Sequence, residues 1–184
     1  MFRKLRVEVD VVSTPESLAK ATRLILPGIG AFDACVHALE RSGLRDSVLE
    51  FAGSGRPLLG ICVGMQMLTL GSEEGNLAGL GLIQAHTRRF PPAAGLRIPH
   101  MGWNTVNWLA PRHPLAKNLL HECRFYFVHS FRVICASAAN SLATCNYGGE
   151  FSAAVTGGNI AGVQFHPEKS HRFGLQLLRN FSTV

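Results

Sequence analysis

Paired cysteines are missing from this 184-residue sequence: Cys35, Cys62, Cys123, Cys135 and Cys145 are odd in number and form no CxxC pair. That pattern favours neither a disulfide framework nor a zinc site, and neither a metal nor a cofactor is expected. Long apolar runs are missing too, since none reaches the roughly 18 residues of a membrane span. The basic start MFRKLR runs into VEVD, whose carboxylates interrupt any signal-peptide core. A soluble, cytoplasmic protein with no membrane partner is the expectation. No GK[ST] follows a glycine-rich turn, so a nucleotide P-loop is unsupported. Aromatic residues make up only 8% and do not interleave with the basic ones, so a net charge of +6 does not amount to a nucleic-acid-binding signature. Repeats, low-complexity tracts and linkers are absent as well. What is present is a hydrophobic content of 47%, enough for one real core, and the chain reads as a single domain over 1–184.

Along the chain, RVEVDVVS is valine-rich and weakly alternating and predicts a strand. TPESLAKA predicts a short helix with Thr14 as N-cap and Pro15 at its first position. RLILPG and PLLGI predict short buried strands, and FDACVHALERSG and LRDSVLEFAGSG predict helices between them. Apolar strands alternating with helices imply a parallel sheet covered on both faces. The second half changes character. GLGLIQAHTRRF, GWNTVNWL, RFYFVHSFRV, LATCNY, FSAAVTG and NIAGVQFH read as strands, with GGN at 157–159 as a hairpin turn. SHRFGLQLLRNF closes as a helix. The fold class expected is therefore α/β: a central, mostly parallel sheet flanked by helices, with added antiparallel strands in the C-terminal half.

Two segments carry chemistry. GICVG at 60–64 joins a buried strand to a helix and copies Gly-x-Ser-x-Gly, the elbow that holds a nucleophile over the end of a sheet. QFHPEKS at 164–170 places His166 at the end of a strand. Pro167 keeps that residue extended, and Glu168 is within reach to orient the ring. A free thiol is mostly protonated at neutral pH, so a neighbouring imidazole that takes its proton yields the competent thiolate. Together they point to a Cys-His-Glu acyl-transfer site. The oxyanion formed on attack needs two donors. The elbow offers the Val63 N–H, and LPGIGAF at 26–32 offers an amide of Gly28 or Ile29 at the same rim.

LPGIGAF, GICVGMQML and GVQFHPEKS, in that order, resemble the class I (triad) glutamine amidotransferases, whose fold is flavodoxin-like. IPHMGWN at 98–104 and FYFVHSF at 125–131 narrow the resemblance to the glutaminase subunits of imidazole glycerol phosphate synthases, over nearly the whole chain. The resemblance implies that Cys62 forms a γ-glutamyl thioester, that His166 is base and then acid, and that Glu168 orients it. It implies that Gln66 binds L-glutamine, with Gly30, His129 and Ser130 around the amino-acid part. It also implies a heterodimer with a (β/α)8 cyclase subunit that receives the ammonia, and sets Pro99, Met101, Trp103, Asn104 and Lys169 near the docking face. By residue chemistry alone, Trp103 and Trp108 would be assigned to a core. Phe131 stands where tyrosine is usual.

Members of that family usually carry a further strand and a DYGMGNL-type turn ahead of the segment matched by MFRKLRVEV, and this chain opens near the end of their first helix. A sheet short of a central strand is therefore expected, with interior backbone groups unpaired at about 1–3 kcal/mol each, and with docking weakened. Three other functions stay open on the sequence: a paralogue supplying ammonia to amidinate a surface sugar, a catalytically impaired interaction subunit, and a cysteine hydrolase on a similar sheet.

Overall fold

The computed structural model describes residues 1–92, 95–119 and 122–184. One side of its main sheet is a parallel trio of β1 (Leu24–Gly28), β2 (Leu58–Cys62) and β10 (Ile160–Val163), with β2 in the middle. From β10 the sheet continues antiparallel through β9 (Glu150–Gly157) to β7 (Phe131–Cys135) and β3 (Ala85–Arg89). β8 (Ser141–Asn146) also pairs with β9, and β5 (Asn107–Trp108) pairs with β8. A separate antiparallel ribbon joins β4 (His100–Thr105) to β6 (Arg124–His129). The architecture is α/β, and the antiparallel strands run from Ala85 onward.

Side chains on adjacent strand positions point to opposite faces, and Leu58 and Leu59 show the result. Leu58 packs with Leu18, Val48 and Phe51 beneath the helices α2 (Pro15–Ala19) and α4 (Arg45–Gly53). Leu59 packs with Phe125, Phe127, Phe165 and, from α6 (His171–Phe181), Leu177. The parallel strands are thus apolar on both sides, which is why they read as continuous apolar runs. Two further helices, α3 (Phe32–Arg41) and α5 (Val63–Met67), follow β1 and β2 directly. Among the described residues no helix is long and apolar enough to cross a membrane.

Most predicted elements are present. Thr14 caps α2, and its hydroxyl accepts from the Ser17 N–H in a capping box. The GGN turn connects β9 to β10, with Gly158 at a φ of 61°. Four expectations are corrected. GWNTVNWL is not one strand but two, broken at Val106, so that its first part lies in β4 of the ribbon and its end in β5 of the main sheet. RVEVDVVS forms no strand: Arg6 ends α1 in a left-handed conformation, and the residues after it pair with no strand among the described residues and are mostly exposed, Val11 at 96%. The expected gap inside the sheet is an edge instead. Among the described residues β1 pairs only with β2, and its other side forms the partly exposed margin of the sheet. RFYFVHSFRV is not one strand but two, broken at Ser130, so that β6 enters the ribbon and β7 the main sheet. A short helix α1 (Phe2–Leu5) precedes RVEVDVVS and was not read from residue periodicity.

Candidate active site

The candidate site lies at the rim where β1, β2 and β10 end. Cys62 is the last residue of β2 and the N-cap of α5, at φ 57° and ψ −115°. A side chain other than glycine rarely adopts this conformation, and strain of this kind clusters at functional sites. Close packing holds it. Gly64 lies so near the Leu26 carbonyl that a Cβ there would collide with it. On one side of Cys62 the ladder sets Gly28 opposite it, the first residue of the Gly28–Gly30 turn. On the other side Val163 pairs with Ile61, so Gln164 comes level with Cys62 and His166 follows two positions on.

His166 is held from several directions. Its N–H donates to the Tyr126 carbonyl of β6 at 2.9 Å. The Ser170 hydroxyl donates back to the His166 carbonyl at 2.6 Å and accepts from the Tyr126 N–H at 3.0 Å, tying the HPEKS turn to the ribbon. Gly174 lets α6 approach the Pro167 carbonyl where a Cβ would collide. The ring Nδ1 meets Glu168 Oε1 at 2.8 Å, as the motif implied. That contact leaves Nε2, which is buried and has no hydrogen-bond partner among the described residues. It is the ring nitrogen open to a proton, because Nδ1–H is committed to the carboxylate.

Burial pushes the Cys62 thiol up to about 11. The Glu168 carboxylate adds to that rise, while the Val63 N–H and the Lys169 ammonium oppose it. The thiol is thus protonated at neutral pH until a base acts. The Gln164 amide donates to Cys62 Sγ at 3.9 Å, and its Oε1 accepts from Gln66 Nε2 at 3.0 Å. Gln66 Oε1 is buried without a partner, an acceptor left open. Gln164 and Ser170 are two residues that sequence reasoning missed. Both lie inside QFHPEKS, but only the sheet register and the ribbon reveal what they touch.

The remaining assignments separate. The Val63 N–H lies near enough to the Cys62 sulfur to lower its pKa. Ile29 is 80% exposed, and its carbonyl accepts from the Cys35 thiol at 3.2 Å; Gly30 follows at φ 93°. Ser130 sits partly exposed at the break between β6 and β7. His129 is buried, and its ring is fully occupied by Phe131 O and His100. On β4, Met101 and Trp103 are 61% and 39% exposed, and Pro99 before them is exposed as well. Trp103 stacks on His171 with ring centres 5.3 Å apart, and the Lys169 ammonium lies over the Tyr126 ring. These side chains form one apolar and basic surface beside the HPEKS turn. Asn104 turns its amide inward and does not join them. Trp108 is buried in the main core, as its chemistry suggested.

Comparison with known proteins agrees with this geometry. The chain resembles the HisH 2 subunit of imidazole glycerol phosphate synthase from Methanococcus maripaludis, 48% identical over 98% of the chain and 90% of the relative. The HisH subunit from Bdellovibrio bacteriovorus is 47% identical over 100% and 92%. Among solved structures, a crystal structure of a glutamine amidotransferase superposes with a TM-score of 0.74 at 20% identity, over 100% of this chain and 90% of that one, which speaks to the fold. The family model for class I glutamine amidotransferases matches residues 1–183, and the chain belongs to that family.

Proposed function

We propose that the chain is the glutaminase subunit of an imidazole glycerol phosphate synthase, releasing ammonia from L-glutamine for a cyclase partner of (β/α)8 fold in histidine biosynthesis. The observation that carries the chemistry is the juxtaposition at one rim of a strained Cys62, Gln164 level with it, and a His166 whose Nδ1 is held by Glu168 while Nε2 is free. The relatives named above support the pathway and the partner.

The sequence of steps follows from the side chains. His166 Nε2 takes the thiol proton, and the thiolate attacks the γ-carboxamide carbon of glutamine. The oxygen of the tetrahedral intermediate gains negative charge toward the Val63 N–H and an amide of the Gly28–Gly30 turn. His166 then gives its proton to the departing nitrogen, and ammonia leaves a γ-glutamyl thioester. A water, deprotonated by the same ring, attacks the thioester. Glutamate leaves, and the proton returns to sulfur. Glu168 keeps the tautomer correct throughout. The surface formed by Met101, Trp103, Tyr126 and Lys169 is where the cyclase docks, so that ammonia emerges beside the partner.

The test uses the chain assembled with a cyclase subunit. Cys62→Ala is expected to abolish glutamine-dependent synthesis while leaving binding to the cyclase and synthesis from added ammonium salt intact. Continued glutamate release by that variant refutes the assignment.

A further inference from the structure

The ribbon contains a buried polar chain that none of these roles uses. His100 lies with its ring stacked on Tyr147 and Phe127, and is 3% exposed. Its Nδ1 is 2.9 Å from His129 Nε2, and its Nε2 is 3.2 Å from Asn104 Nδ2. His129 Nδ1 lies 2.7 Å from the Phe131 carbonyl, immediately after Ser130.

The proton positions along this chain follow from both ends. At one end the Thr105 N–H donates to Asn104 Oδ1 at 2.8 Å, and the Asn146 carbonyl accepts from Nδ2 at 3.0 Å, so the amide cannot be turned round. Asn104 Nδ2 therefore donates to His100 Nε2, which must be the lone-pair nitrogen, leaving the proton on Nδ1. At the other end the Phe131 carbonyl can only accept, so His129 carries its proton on Nδ1 and presents a lone pair at Nε2. Between the rings, His100 Nδ1–H then donates to His129 Nε2. Two independent constraints give one direction, Asn104 to His100 to His129 to Phe131, with both rings neutral. An added proton on either ring would set two donors against each other. Burial acts the same way, pushing His100 down to about 4 and His129 to about 3.

We infer that His100 is a positioning residue for glutamine binding: through His129 it fixes the Phe131 carbonyl and so the Ser130 turn. The inference rests on the glutaminase reading, in which the Ser130 turn meets the amino-acid part of the substrate. His129 acts there through the placement of its backbone, since its ring has no free nitrogen. The site end of the chain lies near the triad, close enough for His166 to bear on the titration of His129. The other end starts on β4, the strand that exposes Met101 and Trp103.

The test is a glutamine titration of glutaminase activity in the chain–cyclase complex, paired with ¹⁵N-imidazole NMR of the chain. His100→Phe keeps a ring between Tyr147 and Phe127 but removes the donor. It is expected to raise the glutamine KM about tenfold while kcat changes less than threefold. His100→Asn, whose amide can donate to His129 Nε2, is expected to recover part of that loss. Asn104→Asp preserves size but demands a proton on His100 Nε2. It is expected to raise KM and to show that proton in the spectrum. An unchanged KM in folded His100→Phe and Asn104→Asp, or a wild-type spectrum with His129 protonated on Nε2, overturns the inference. A wild-type complex that releases no glutamate refutes the glutaminase reading instead, and the ring spectra still decide whether the proton chain exists.

Discussion

The two ends of the parallel trio differ in how they are held. At the β2–β10 rim every chain turn is tied from more than one side: Cys62 by the close approach of Gly64 to β1, and the HPEKS turn by Tyr126, Ser170 and Gly174. At the β1 margin the backbone is paired on one side only among the described residues, and Val7–Val12 is in no strand. Val7–Val12 has more β-branched residues than β2 (Leu58–Cys62), yet β2 is the strand. A neighbour on each side, more than propensity, decides which becomes a strand. Strain at Cys62 is tolerable where packing over-determines the backbone, and the open margin has no such reserve.

The strongest way to break that contrast is Gly64→Ala. The added methyl must push β1 from α5, at a cost of about 3 kcal/mol, and the elbow should lose its shape. Thermal unfolding and glutamate release should fall together, and a variant of wild-type stability would show that the elbow is not held by packing. Next in size is Ser170→Ala, which removes two hydrogen bonds and leaves a buried N–H at Tyr126 unpaired, costing about 1–3 kcal/mol. Because His166 would then be misplaced, glutaminase kcat should fall roughly tenfold to a hundredfold. Loss of stability with unchanged kcat would assign the serine to folding alone.

Acid sharpens the same comparison. In the unfolded chain His100 and His129 protonate near their ordinary value of about 6.5. In the fold they stay neutral down to about 4 and about 3. Their contribution is therefore complete above pH 6.5 and is lost as pH falls, at up to about 1.4 kcal/mol per pH unit for each ring, until each folded value is passed. Denaturant unfolding at stepped pH should show that slope, and His100→Phe should reduce it. The smallest effect is expected at the margin: Val11→Thr, at a residue 96% exposed, should change stability by less than about 0.5 kcal/mol. A larger loss would mean that the Val7–Val12 segment is paired in solution.

Much of the site was legible because it is local in sequence. GICVG carries its own strand, turn and helix, and QFHPEKS holds His166 and Glu168 two positions apart, so the hydrogen bond at 2.8 Å needs no tertiary information. The parallel strands were legible through their continuous apolar residues. The rest depends on partners distant in the chain. Gln164 reaches Cys62 only through the β2–β10 register, and Ser170 reaches Tyr126 only because the ribbon folds over the turn. Asn104 reads as a surface residue beside Trp103, yet alternation along β4 turns its amide toward His100. RVEVDVVS has the composition of a strand but no strand beside it.

The central claim is that Cys62 is the group that attacks the amide of glutamine. The direct measurement is mass spectrometry of the chain–cyclase complex after treatment with a glutamine analogue bearing an electrophilic γ-carbon. One adduct on the peptide containing Cys62, suppressed by excess glutamine and absent in Cys62→Ala, is the predicted result. An adduct on Cys35 or another cysteine, or full inactivation with Cys62 unmodified, would contradict it.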